Sequence, residues 1–280
     1  MLRSIREKPE NRDYLTQSIC GYNNTVPIVC CPEDVEDVNK LKLSTNCGQF
    51  DEDTEQEYPW IVSLGYGRQE NHDEIQWLCA GTLVTKVHVL TSAYCVRARN
   101  DLFKVRANSF DSDNFANEGI IKKQIVHEEY NKLSHKNDIA ILLVEWSQSD
   151  EDPIPICLPK LPNMEFNRQV KPTVAHKWDS DLSSREITII PTKQCAQFYE
   201  VIKAAKINDN TLCSNIESSC QSITGSPLML TQSQPNDQSD KYYAIGISSY
   251  SFNCNSSNQL PNVFTRVYKY VDWIESNLYI

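Results

Sequence analysis

Cys79-Ala80-Gly81-Thr82-Leu83-Val84 and Val89-Leu90-Thr91-Ser92-Ala93-Tyr94-Cys95 are the stretches on which the fold of this chain turns. Gln76–Val84, which takes in the first, and Val87–Thr91, which opens the second, are short apolar runs with the pattern of strands. They belong to a series that extends in both directions. Trp60–Leu64, Gln76–Val84, Val87–Thr91, Phe103–Ala107, Ile120–Val126, Ile139–Val144, Ile187–Ile190, Tyr242–Ser248 and Val263–Val267 are each rich in β-branched and aromatic residues and punctuated by turn formers. Such spacing predicts an all-β sandwich or barrel. The period changes only at the end, where Val267, Tyr270, Val271, Ile274 and Leu278 recur at intervals suited to one helical face. An amphipathic helix from Tyr268 to about Tyr279, with its apolar stripe on the β body, follows.

Working outward, residues 1–32 hold Cys20, Cys30 and Cys31, and residues 33–57 are rich in Asp, Glu and Asn and poor in large apolar side chains, the composition of a solvated linker. With 280 residues, 40% hydrophobic and 23% charged, the chain can bury a sizeable core in one large domain with a short appendage. A net charge of −10 argues against nucleic-acid or anionic-membrane binding, which needs a basic footprint. No apolar run approaches the roughly 20 residues of a membrane span, and the first ten residues lack the apolar core of a signal peptide. Eleven cysteines without zinc-type ligand pairs read instead as disulfides made in an oxidising, extracellular compartment. No metal site or cofactor is expected: Asp111-Ser112-Asp113 is too sparse for calcium, which takes roughly 6–8 oxygens.

Four segments resemble the chymotrypsin/trypsin family. Pro59-Trp60-Ile61-Val62-Ser63-Leu64 is similar to its early first-barrel strand, and the two opening stretches to its C-G-G-x-L-I … V-L-T-A-A-H-C. Asn137-Asp138-Ile139-Ala140-Ile141-Leu142-Leu143 resembles D-I-A-L-L, and Pro261-Asn262-Val263-Phe264-Thr265-Arg266-Val267 with Tyr270-Val271-Asp272-Trp273-Ile274 resembles P-G-V-Y-T-R-V … Y-x-x-W-I. The resemblance covers residues 58–280 and implies two antiparallel Greek-key β-barrels with a C-terminal helix. It also implies disulfides Cys79–Cys95, Cys195–Cys213, Cys220–Cys254 and Cys47–Cys157, the last tethering the linker to the domain. Cys20-Gly21-Tyr22 … Val29-Cys30-Cys31-Pro32 resembles the second half of an arthropod clip domain, so the sequence is expected to begin inside that domain; an intermolecular disulfide is the alternative account of the odd cysteine. Asn23-Asn24-Thr25 and Asn255-Ser256-Ser257 are sequons that could carry N-glycans, at Asn23 and Asn255.

Catalysis in that family needs a hydroxyl nucleophile, an imidazole base, a buried carboxylate and two oxyanion donors. Tyr94 stands at the histidine position, and a phenol with an ordinary pKa of about 10 cannot serve as the base at neutral pH. The family's G-D-S-G-G-P aligns with Ser222-Ile223-Thr224-Gly225-Ser226-Pro227. Thr224 then replaces the nucleophile, Ser222 the oxyanion-hole glycine, and Ile223 the Asp that pairs with the freed N-terminus on activation. Between Cys47 and Pro59 there is neither Lys nor Arg nor an I-V-G-G. Asp138 alone remains of the triad, expected to accept a hydrogen bond, for which the Tyr94 hydroxyl is a candidate donor. Ser218 takes the place of the specificity-pocket Asp, and Ser249-Tyr250-Ser251 that of the S-W-G wall. His72, His88, His127, His135 and His176 read as surface or core residues. The resemblance implies a clip-domain serine protease homologue that regulates an extracellular protease cascade without catalysis, as in prophenoloxidase activation. Its expected partners are cascade proteases, prophenoloxidase-type zymogens or microbial surfaces. An adhesive scaffold and a residual hydrolase are the alternatives.

Overall fold

The computed structural model describes residues 19–23, 26–29, 43, 46–49, 58–68, 75–107, 117–147, 154–159, 161, 173–178, 181–215, 222–233, 240–252 and 260–278. The chain divides into a small unit of residues 1–41 with 279–280, and a large unit of residues 42–278. In the small unit, strands β1 (Ile19–Asn23) and β2 (Val26–Val29) form an antiparallel hairpin pairing Asn23 with Val26 and Ile19 with Val29. Cys20 lies in β1, and the pairing of the clip cysteines falls outside the described residues, as does the acidic linker apart from residues 43 and 46–49.

The large unit opens with a closed barrel. Its strands are β3 (Ile61–Tyr66), β4 (Gln76–Leu83), β5 (His88–Thr91), β6 (Leu102–Ala107), β7 (Asn117–Val126) and β8 (Ala140–Trp146), arranged β3-β4-β5-β8-β7-β6. All six residues of β3 are buried, because one face lines the barrel and the other is covered by the rest of the unit. Trp60, Leu64, Leu83, Leu90, Ile141 and Leu142 are among the largest fully buried side chains, each worth about 1.5–3 kcal/mol of transfer free energy. The second half is a seven-stranded antiparallel sheet of β9 (Thr173–Trp178), β10 (Asp181–Glu186), β11 (Ile189–Ile190), β12 (Thr211–Ser214), β13 (Pro227–Ser233), β14 (Asp240–Tyr250) and β15 (Val263–Arg266), in the order β10-β9-β13-β14-β15-β12-β11. Among the described residues this sheet does not close on itself, unlike the first.

Among the described residues three short helices complete the unit: α1 (Ala93–Arg97), α2 (Thr192–Tyr199) and α3 (Val271–Ser276). The single terminal helix expected from Tyr268 onward is in fact a 3-10 turn, Val267–Tyr270, followed by α3. Tyr270 leaves helical geometry at φ −122°, and its buried hydroxyl donates to Asn137 Oδ1 at 2.8 Å, so a distant contact sets where the tight turn ends. Val267, Tyr270, Ile274 and Leu278 still pack into the core that contains the first barrel. Helix α2 escaped a periodicity reading because it buries only Cys195 and Tyr199.

Disulfides join Cys47 to Cys157, Cys79 to Cys95 and Cys195 to Cys213. The first closes a sequence separation of 110 residues, and Gly48 beside it seats the backbone. Its N–H donates to the Pro155 carbonyl and its carbonyl accepts from the Tyr242 N–H, both at 2.8 Å. Gly48 has φ +67°, and a Cβ there would collide with the Tyr242 backbone, so the seat requires glycine. The Cys220–Cys254 pair lies outside the described residues.

Candidate functional site

Strand β5 delivers Ser92 to the start of α1, where its hydroxyl accepts the Tyr94 N–H at 3.1 Å and caps the helix. The same hydroxyl donates to Asp138 Oδ1 at 2.7 Å, and the Tyr94 N–H also reaches that oxygen at 2.8 Å. The other oxygen, Oδ2, accepts from the Ser249 hydroxyl on β14. The Asp138 carbonyl accepts from the Thr265 hydroxyl on β15 at 2.8 Å. Asp138 is wholly buried, and a buried carboxylate is tolerated only when its acceptors are filled. Here α1 with its cap Ser92, and Ser249 of the second sheet, fill them together.

The local backbone is shaped for this. Asn137 sits in the left-handed region at φ +54°, which Asn tolerates better than most residues. Its Oδ1 is held by Tyr270 and its Nδ2 donates to the Glu129 carbonyl at 3.2 Å. The Tyr94 hydroxyl is not among the donors to Asp138, which corrects the sequence expectation: the backbone N–H of Tyr94 and two serine hydroxyls already occupy the carboxylate, while the Tyr94 residue is 38% exposed.

The segment carrying Thr224 packs between the two halves. The Thr224 carbonyl accepts the Ala80 N–H from β4 at 2.9 Å, the Gly225 N–H donates to the Ser248 carbonyl at 2.8 Å, and the Ser248 N–H donates to the Ser226 carbonyl at 2.9 Å. Gly225 has φ +85°, and a Cβ there would run into the Ala80 carbonyl and the Thr91 hydroxyl. The Thr224 hydroxyl makes no hydrogen bond with a described residue. The structure thus gathers Tyr94, Asp138 and Thr224 at the junction of the halves; Ser218, Cys220, Cys254 and Asn255 lie outside the described residues.

His135, which flanks the Asp138 region in the sequence and reads there as a surface or core residue, turns its ring to this site. Its ring stacks 4.5 Å from that of Tyr250 and lies 6.1 Å from that of Tyr94. Its Nδ1 stops 3.9 Å from Asp138 Oδ2, beyond hydrogen-bond reach, and makes no hydrogen bond among the described residues. The signal was available, three residues before Asp138, but a lone histidine in a polar loop gives no direction for its ring. Burial, and then the Asp138 charge, push the phenols of Tyr250 and Tyr130 well above the ordinary tyrosine value, so both are neutral at physiological pH. Among the described residues no cluster of His, Cys, Asp and Glu could hold a metal ion, and no helix is long and apolar enough to cross a membrane.

A buried Asp138 held by Ser92, the N–H of residue 94 and Ser249, at the junction of a closed barrel and a second antiparallel sheet, is the decisive arrangement. The family model described as Trypsin matches residues 48–274. The chain belongs to the trypsin family. A second family model, the regulatory CLIP domain of proteinases, matches residues 1–31. Among relatives, the venom serine protease Bi-VSP of Bombus ignitus is 32% identical, covering 93% of this chain and 81% of the relative. Melanization protease 1 of Drosophila melanogaster is 26% identical, covering 99% of this chain and 87% of the relative. The crystal structure of the Drosophila Grass clip serine protease of the Toll pathway superposes with a TM-score of 0.69 at 22% identity, over 96% of this chain and 86% of that one, a likeness of fold. This chain is therefore a trypsin-family domain accompanied by clip-domain sequence, with a trypsin-like fold.

Proposed function

We propose that this trypsin-family chain is catalytically inert and acts outside the cell as a regulator of a serine-protease cascade. The observation that carries this reading is the environment of Asp138. The carboxylate keeps its cradle of Ser92, Tyr94 N–H and Ser249, but residue 94 presents a phenol where the chemistry needs an imidazole. Among the described residues, none accepts a hydrogen bond from the Thr224 hydroxyl. Base and nucleophile act as a unit, and losing either costs roughly a millionfold in a model enzyme. The retained cradle then serves packing between the two halves of the domain.

The cascade role is supported by the relatives. They are named as proteases, one of them for melanization, and the CLIP match gives this chain a module described as regulatory in proteinases. An inert member of such a set would act by binding a protease or a zymogen through its surface loops. Extracellular residence is supported by the disulfides, which persist in oxidising compartments.

A fluorophosphonate probe for activated hydroxyl nucleophiles tests the chemical half of this proposal. The expected result is no labelling of the folded chain above a Thr224→Ala control. Covalent modification mapped to Thr224 would contradict it.

A further inference from the structure

Between the C-terminal half of α2 and the turns that follow it lies a groove of about 250 Å³. Its floor is apolar: Ile202, Ala205 and Ile207 are partly buried against the cluster of Cys195, Tyr199, Cys213 and Val263. That floor is held from below. The Cys195–Cys213 disulfide ties α2 to β12, and the Tyr199 hydroxyl donates to the Pro261 carbonyl at 2.5 Å. The Ile202 and Ala205 N–H groups close successive turns onto the Tyr199 and Ile202 carbonyls at 2.9 and 3.0 Å. The rim is charged. Glu200, Lys203 and Lys206 are exposed along it and make no ion pair among the described residues. Val201, in the same turns, is 85% exposed.

The segment reads Val201-Ile202-Lys203-Ala204-Ala205-Lys206-Ile207, aliphatic residues interrupted only by lysine, in a chain whose net charge is −10. A single exposed apolar side chain needs no explanation. Here, however, it borders an apolar groove with a fixed floor and cations that meet no acid among the described residues. We infer that this groove receives an acidic segment of a protein partner, with an aliphatic side chain on the floor of Ile202, Ala205 and Ile207 and carboxylates over Lys203 and Lys206. Glu200, of opposite sign, repels a carboxylate from its own end of the groove and so sets the direction in which the segment lies. Paired charges of this kind fix register and speed encounter more than they add affinity. The rigid floor spares the cost of ordering the site on binding. An anionic membrane fits this surface poorly, because the surface is concave and the chain as a whole is acidic.

This deepens the reading of a regulator that acts by binding, and rests on it for the protein nature of the partner; its test reads binding and not turnover, so the two can fail separately. The probe is a dye-labelled, blocked hexapeptide of alternating glutamate and leucine, titrated onto the full chain by fluorescence anisotropy at low and at high salt. The same peptide with glutamine in place of glutamate is the control, and NMR of labelled isoleucine and alanine methyl groups locates the contact. Saturable binding is expected, weakened by salt and shifting the methyl signals of Ile202, Ala205 and Ile207. Affinity should fall at least about tenfold for the glutamine peptide and for the K203E/K206E double variant. Both lysines are exposed, and an unchanged methyl spectrum elsewhere verifies that the variant folds; should it not, K203Q/K206Q takes its place, with a smaller loss expected in the same direction. No saturable binding, methyl shifts confined to other residues, or equal affinity for wild type and charge-altered variant would overturn the inference. Tighter binding to phosphatidylserine vesicles than to the peptide through the same lysines would also overturn it, in favour of a membrane. A dimer that K203E/K206E abolishes would overturn it in favour of a second copy of this chain.

Discussion

Asp138 is the residue on which the site is built, and its role can be weighed apart from any catalysis. Its carboxylate takes three side-chain or backbone donors in full burial, and hydrogen bonds to a charged group are the stronger kind. Replacement by alanine strands the Ser92 and Ser249 hydroxyls and the Tyr94 N–H. Asp138→Ala should therefore lower unfolding stability by about 3 kcal/mol, read as a shift of the urea midpoint at unchanged slope. A change within a few tenths of a kcal/mol would mean that the cradle is ornamental. The same comparison separates structure from chemistry, because a residue kept for catalysis alone could be removed at little cost in stability.

Among the elements, β6 and β7 are fastened by an ion cluster in which Glu118 meets Lys104 and Arg106, while the Arg106 guanidinium lies 4.3 Å from the ring centre of Trp77. Burial alone would raise the Glu118 pKa, but the hydrogen bonds and charges of Lys104 and Arg106 outweigh it and hold the group below its ordinary 4.5. A folded pKa below the unfolded one gives stability that is present above the unfolded value and is lost as pH falls through the folded one. Glu118→Gln should accordingly weaken the fold at pH 7 and flatten the loss of stability below about pH 4.5, measured by thermal melts across that range. An unchanged acid limb would contradict the assignment. At the C-terminus, the turn that ends at Tyr270 is held by its hydroxyl on Asn137. Burial, eased by a hydrogen bond with Asn210, pushes this phenol up to about 12, so it donates throughout the physiological range. Tyr270→Phe should cost about 1–2 kcal/mol by leaving Asn137 Oδ1 unpaired, visible in denaturant unfolding.

At the scale of the molecule, strands were legible where a closed barrel imposes apolar runs, as in Ile61–Tyr66 and Ala140–Trp146. They were hidden in Asp181–Glu186, where polar residues fill a strand that lies at the sheet's edge, beside β9, among the described residues. The places of Tyr94, Asp138 and Thr224 could be read because each sits inside a motif with fixed neighbours. The geometry between motifs could not: the His135–Tyr250 stack and the Ser249 donor to Asp138 join residues 115 and 111 positions apart, brought together only by folding. The central claim is that a trypsin-family domain has kept its architecture and lost its chemistry. Its most direct test is kcat/KM of the purified full chain on a broad peptide library, set against Thr224→Ala. The two are expected to be indistinguishable, at the level of the peptide-only background. Turnover by the wild-type chain well above that control would show that another group supplies the base, and would contradict it.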